Sequence, residues 1–152
     1  SCNSLLVIAD ELTTSLDIAT ESEILSLLNG LIVEYGMSLL FITHNLHIIR
    51  KLAQNIGIMY AGRLIEKNNV EDFFSEPLHP YSRGLVDSIV GLSGKEKRLK
   101  TIPGFVPRLS EMPEGCKFHP RCNKVMPQCM INEPPMFTIG NEKWIKCFLY
   151  QG

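Results

Sequence analysis

Two apolar runs of strand length stand near the start of the chain, and each finishes on reactive chemistry. Residues 4–9 run straight into two adjacent acids, Asp10 and Glu11, and MSLLFITH at 37–44 closes on His44. Between them, IATESEILSLLNGLIVEYG places Ile24, Leu27, Leu28, Leu31, Ile32 and Tyr35 at the i, i+3, i+4 spacing of one helical face. Asp17 stands where an N-cap belongs and Gly36 where a helix stops. A short helix is expected over 45–53. NIGIMYAGRLIEKN then reads as a hairpin, with strands at 56–60 and 63–67 about an Ala61-Gly62 turn. Residues 69–75 read as a helical turn or two, Pro77 and Pro80 break the chain, and 81–90 read as a helix that HPYSRGL opens. Phe73 and Phe74 are expected to pack the short helix onto the sheet. Continuous apolar runs are those of parallel strands covered on both faces, so the strand–helix–strand–helix order predicts an α/β domain with a parallel sheet.

After Gly91 the pattern changes. LSGKEKRLK is charged, and prolines at 103, 107, 113, 120, 127, 134 and 135 punctuate the rest of the chain. Such a stretch is expected to hold neither long helices nor central strands. A boundary near 91–100 divides the chain into residues 1–92 and an irregular Pro/Cys-rich extension over 93–152.

The extension carries its own chemistry. Of five cysteines, Cys2 stands alone, while Cys116, Cys122, Cys129 and Cys147 fall in the last 37 residues as C-x5-C-x6-C-x17-C. Four thiolates bind Zn²⁺ tetrahedrally or ligate an iron–sulfur cluster. Structural zinc sites usually show short C-x2–4-C knuckles, which neither close spacing here matches; the irregular spacing suits a 4Fe–4S cubane better, with Zn²⁺ the alternative and free or disulfide-linked thiols the third reading. Trp144, Phe148 and Tyr150 are expected to cover this site.

Bulk composition adds mainly exclusions. The 152 residues are 45% hydrophobic and 20% charged, enough for one domain or a small domain with an appendage. A net charge of -1 gives no electrostatic case for nucleic acid. The apolar runs fall far short of the roughly 20 residues of a membrane span, and the chain opens on no charged-then-apolar leader.

Ligands of open α/β sheets gather at the carboxyl ends of the strands. There Asp10 is placed to hold Mg²⁺, and Glu11 to orient a water for attack on a phosphate. His44, at the end of a neighbouring strand, is placed to contact a phosphate oxygen. The plainer alternatives are acids that only end a strand, and a histidine that caps the next helix.

Taken together and in order, these stretches resemble a known family. LLVIADELTTSLD is similar to the Walker B motif and D-loop of an ABC-transporter ATPase, and LLFITHNL to its switch-histidine stretch. MYAGRLIEKN, EDFFSEPLHPYSRGLVDSI, TIPGFVP and GCKFHPRC resemble the oligopeptide/dipeptide importer branch. The resemblance covers essentially the whole chain and corresponds to the carboxyl-terminal half of an ATP-binding subunit, so the fold it implies is a partial P-loop NTPase core. It implies that Asp10 helps hold Mg²⁺, Glu11 polarises the attacking water, and His44 touches the γ-phosphate of ATP. Ser15, Leu16 and Asp17 would form the D-loop that reaches across a nucleotide-sandwich dimer. Leu12 stands where the family usually has proline, which changes loop stiffness and not the chemical groups. Some members carry a 4Fe–4S cluster on four such cysteines.

The implied partners are two permease subunits, a second ATP-binding subunit and, indirectly, an extracellular solute-binding protein, at the cytoplasmic face of the cell membrane. The sequence contains no G-x-x-x-x-G-K-[ST] and no LSGGQ-like signature before the first strand. The chain alone is therefore expected not to turn over ATP, its usual upstream partners lying before residue 1. The competing class is a non-enzymatic iron–sulfur or zinc module with the α/β portion as scaffold. The absent neighbouring strand would also leave one edge of Leu39–Thr43 open to association.

Overall fold

The computed structural model describes residues 6–12, 16–93, 101–140 and 142–152. It is a mixed α/β structure with one parallel and one antiparallel sheet. The chain divides into two compact units, Ser1–Ala53 and Gln54–Gly152. The sequence boundary near 91–100 marks a change of composition, and its residues 94–100 lie outside the described set.

In the first unit β1 (Leu6–Asp10) pairs in parallel with β2 (Ser38–Ile42), in register from Leu6↔Ser38 to Asp10↔Ile42. The connection is α1 (Ile18–Tyr35), a βαβ crossover as the pattern predicts. Asp17 caps α1, its Oδ1 accepting the N–H groups of Ala19 (3.1 Å) and Thr20 (3.0 Å). Gly36 ends the helix in the left-handed region at φ +61°, where a side chain would be strained. α2 (Leu46–Leu52) follows, capped by Asn45.

One expectation about this unit needs correcting. The apolar runs predict burial on both faces, yet Leu6, Ile8, Leu40 and Ile42 share one exposed sheet face, while Ala9 on the other is buried. On α1, Leu27, Leu31 and Tyr35 of the predicted apolar face are likewise exposed. Among the described residues, β1 and β2 pair only with each other, and no further layer covers the face that carries Leu6, Ile8, Leu40 and Ile42.

The second unit is built on β3 (Asn55–Tyr60) and β4 (Arg63–Asn69), joined by the expected two-residue turn; Ala61 and Gly62 both have positive φ, as tight hairpins require. Period-two alternation along β3 turns Ile56, Ile58 and Tyr60 inward. α3 (Val70–Ser75) packs on this hairpin, with Phe73 fully buried as anticipated. α4 (Pro80–Ser93) follows. The tail supplies α5 (Pro127–Ile131), then β5 (Phe137–Ile139) and β6 (Lys143–Ile145).

The sheet order is β3-β4-β6-β5, so β6 is a central strand. That overturns the expectation that the proline-rich stretch holds none. After Pro135 no further proline occurs, and residues 136–147 are free to donate to a ladder. Lys146 N–H continues it to the Ile65 carbonyl at 2.8 Å, and Lys143 pairs with Asp72 of α3.

Candidate functional site

The parallel register of β1 and β2 decides the first site. Because Asp10 lies opposite Ile42, the residues just beyond, Glu11 and His44, emerge at the same carboxyl end. Glu11 N–H donates to the Ile42 carbonyl at 2.9 Å, extending the ladder by one bond. Its backbone sits at φ +48°, a left-handed conformation costing a non-glycine residue about 1 kcal/mol or more. That twist carries its carboxylate to His44, whose Nδ1 lies 3.0 Å from Glu11 Oε1.

Both side chains are solvent-accessible, 72% for His44 and 47% for Glu11. Asp10 ends the strand beside them, exposed. The helix after His44 is capped by Asn45, whose Oδ1 accepts His47 N–H at 3.1 Å, so the His44 ring is not needed as a cap. A carboxylate and an imidazole in contact at a sheet's carboxyl end can orient a water and hold or pass its proton. Asp17, by contrast, spends its carboxylate on α1: Oδ2 accepts the Thr20 hydroxyl at 2.8 Å, and these hydrogen bonds from Thr20 hold its pKa below the usual carboxylate range. Ser15 and Cys2 lie outside the described residues.

The second site belongs to the other unit. Cys116, Cys122, Cys129 and Cys147, spread over 32 residues of sequence, line one small cavity of about 10 Å³ together with His79, Phe118, His119 and Phe148. Cys116 and Cys129 are held together by backbone: Cys116 N–H donates to the Cys129 carbonyl at 2.9 Å. All four thiols are free. Burial pushes the Cys116, Cys122 and Cys147 thiols up, Cys147 to about 11, and the neighbouring cysteines push further in the same direction.

Backbone amides oppose that trend at a regular offset. The Lys124 N–H donates to the Cys122 sulfur at 3.3 Å, and the amides of Phe118 and Leu149 favour the Cys116 and Cys147 thiolates in the same sense. Phe118, Lys124 and Leu149 each lie two residues after their cysteine, the His119 amide adds to Phe118 at Cys116, and N–H···S bonds favour the thiolate over the thiol. The donor set therefore fits a thiophilic metal group, although among the described residues no three or more such side chains are drawn into a metal-holding group. Of the aromatic residues expected to cover this site, Phe148 lines the cavity and Trp144 lies in β6; Tyr150 donates to the Leu78 carbonyl at 3.2 Å.

Sequence reasoning did not single out Glu66, which is fully buried and accepts the N–H groups of Leu78 (3.1 Å) and His79 (2.8 Å). Nor did it place His79 at the cysteine cavity. The available signal was HPY itself: a proline at the first helical position puts the preceding histidine where an N-cap belongs. No helix among the described residues is long and apolar enough to cross a membrane.

Residues 65–129 match the model of a family described as the oligopeptide/dipeptide transporter, C-terminal region. The oligopeptide transport ATP-binding protein AppD of Bacillus subtilis is 41% identical over 151 residues, 99% of this chain and 46% of that protein. The oligopeptide transport ATP-binding protein OppD of Haemophilus influenzae is 41% identical over 148 residues, 97% of this chain and 46% of its own length. The dipeptide transport ATP-binding protein DppD of Caldanaerobacter subterraneus is 37% identical over 146 residues, 96% and 45%. The chain thus spans a little under half the length of these curated relatives. Along nearly its whole length the chain matches ATP-binding proteins of oligopeptide and dipeptide transport at 37–41% identity, and its residues 65–129 correspond to the family described as the oligopeptide/dipeptide transporter, C-terminal region.

Proposed function

We propose that the chain is the carboxyl-terminal portion of an ABC-type ATP-binding subunit that energises import of peptides, or a related small solute, across the cytoplasmic membrane. The observation that carries this is the Glu11–His44 contact at the carboxyl ends of two parallel strands, together with relatives named for peptide transport and ATP binding. Glu11 orients the attacking water and takes its proton, and His44 holds the Glu11 carboxylate and meets the γ-phosphate. Asp10 would hold Mg²⁺, which when bound neutralises charge on the transferred phosphoryl group. Ser15 and Asp17 belong to the loop that meets a second ATP-binding subunit. The remaining partners are permease subunits, with an extracellular solute-binding protein acting through them, and the subunit sits peripherally on the cytoplasmic face.

Because no phosphate-cradling G-x-x-x-x-G-K-[ST] occurs in its 152 residues, the chain by itself carries out no ATP turnover. Joined to the rest of the Bacillus subtilis relative, it is expected to restore turnover, and Glu11→Gln to lower that turnover by roughly 10²-fold or more. Turnover in the chimera that is indifferent to Glu11→Gln would falsify the assignment.

The four cysteines, in this reading, hold a 4Fe–4S cluster that orders residues 101–152. The N–H···S pattern supports a thiolate-bound group, and the small cavity favours the second reading of a single Zn²⁺, since it has room for about one water-sized body. Anaerobic purification separates the two. Iron with acid-labile sulfide and a visible charge-transfer band is expected for the first; zinc without either establishes the second.

A further inference from the structure

His79 is 1% exposed and lies on the cysteine cavity, held from three sides. Its N–H donates to Glu66 Oε2 at 2.8 Å, and its carbonyl accepts Arg83 N–H at 3.0 Å. Its ring Nδ1 accepts Tyr81 N–H at 3.0 Å. A backbone N–H can only donate, so Nδ1 carries a lone pair and the proton of the neutral ring sits on Nε2. Burial lowers the pKa to about 4, which keeps the ring neutral at ordinary pH. Nε2–H has no hydrogen-bond partner among the described residues.

The other histidine on the cavity has the opposite tautomer. His119 Nδ1 lies 2.9 Å from the Cys116 carbonyl, which can only accept, so Nδ1 donates and the neutral ring leaves a lone pair on Nε2. Of the two neutral rings on the cavity, His79 carries its proton on Nε2 and His119 on Nδ1.

We propose that His79 is a positioning residue of the four-cysteine site, its Nε2–H donating to a cysteine sulfur and so stabilising the metal-bound thiolate. The inference rests on the reading that the four cysteines hold a metal. It adds to the backbone amides a further donor, supplied by a side chain locked in tautomer and position. Outer-shell donors of this kind orient the ligands and tune their basicity. The plainer role, capping α4 through Nδ1, is real but uses only half of the ring.

Asparagine and glutamine separate the two halves. Asn at 79 places an acceptor where Nδ1 was and keeps the Tyr81 bond, but has nothing at the Nε2 position; Gln reaches toward that position with an N–H. The full 152-residue chain, reduced and metal-free, is titrated with Co²⁺ alone in competition with a chromophoric chelator, following the thiolate-to-cobalt charge-transfer band. His79→Asn is expected to lower Co²⁺ affinity about 10-fold or more and to shift that band. The melting of the metal-free chain is expected to stay unchanged, and His79→Gln to recover most of the affinity.

If the unmodified chain takes up no Co²⁺, the four-cysteine reading fails and this inference with it. If it does, and His79→Asn binds as tightly with the same band, the cysteine site stands and the role of His79 is refuted. Equal losses of affinity and of melting temperature in both variants would likewise reduce His79 to a helix cap.

Discussion

Among the described glycines, Gly115 leaves the least room for the side chain that Gly115→Ala adds. Gly115 sits at φ +58°, and a Cβ built there would lie 2.4 Å from the Cys129 carbonyl oxygen, 2.9 Å from Met130 C and 3.0 Å from Ile131 N. All three are backbone atoms, so no rotamer change relieves the contact. The left-handed conformation costs an alanine about 1–2 kcal/mol, and forcing the two segments apart adds about 1–3 kcal/mol. The expected loss is therefore about 2–5 kcal/mol, a large part of a typical domain's stability. The separation also strains the 2.9 Å bond from Cys116 N–H to the Cys129 carbonyl, so two of the four thiols move apart. Trp144, the chain's single tryptophan, lies in β6 and reports on this unit by fluorescence. Urea titration of the metal-free chain should show a clearly lower midpoint with an unchanged slope, and Co²⁺ uptake should weaken in parallel. A midpoint shift equivalent to less than about 0.5 kcal/mol, the range of an innocuous surface change, would refute the steric argument.

Gly84→Ala is the instructive contrast. Its Cβ would lie 2.6 Å from Ile102 Cγ1, but that is a side chain that can turn. A rotamer cost of about 0.5–1.5 kcal/mol is offset by the roughly 1 kcal/mol gained on replacing a helical glycine, so the urea midpoint should barely move. Glu66→Ala strands two buried N–H donors at Leu78 and His79 and should cost about 2–6 kcal/mol, whereas Glu66→Gln, which keeps one acceptor, should cost less in the same titration. For His79, a base whose pKa falls from 6.5 to about 4 on folding, the unfolded chain binds the extra proton between those values. Its contribution is complete above pH 6.5 and is lost as pH drops toward 4, by about 3 kcal/mol. In the metal-free chain that part of the acid destabilisation, read by Trp144 fluorescence, should vanish in His79→Asn.

Local pattern by itself determined most of the element list. Asp17 and Gly36 mark the ends of α1 because a side-chain acceptor and a positive φ are local requirements, and the Ala61-Gly62 turn with its flanking alternation fixes the β3–β4 hairpin. Motif order made Asp10, Glu11 and His44 a candidate site from sequence, since strand ends collect ligands whatever the rest of the chain does. Only the tertiary structure decided which of these residues touch. The parallel register brings Glu11 to His44 across 33 positions of sequence, and register depends on pairing with a distant strand. In the same way β6 became a central strand because β4 had an edge to offer, a fact no window around residues 143–145 contains. The four cysteines were legible as a count and a spacing. That they surround one cavity, with His79 in its lining, depends on Glu66 holding the His79 backbone N–H and on the Tyr81 N–H holding its ring Nδ1, and hydrogen-bond direction is settled only when both partners are in place.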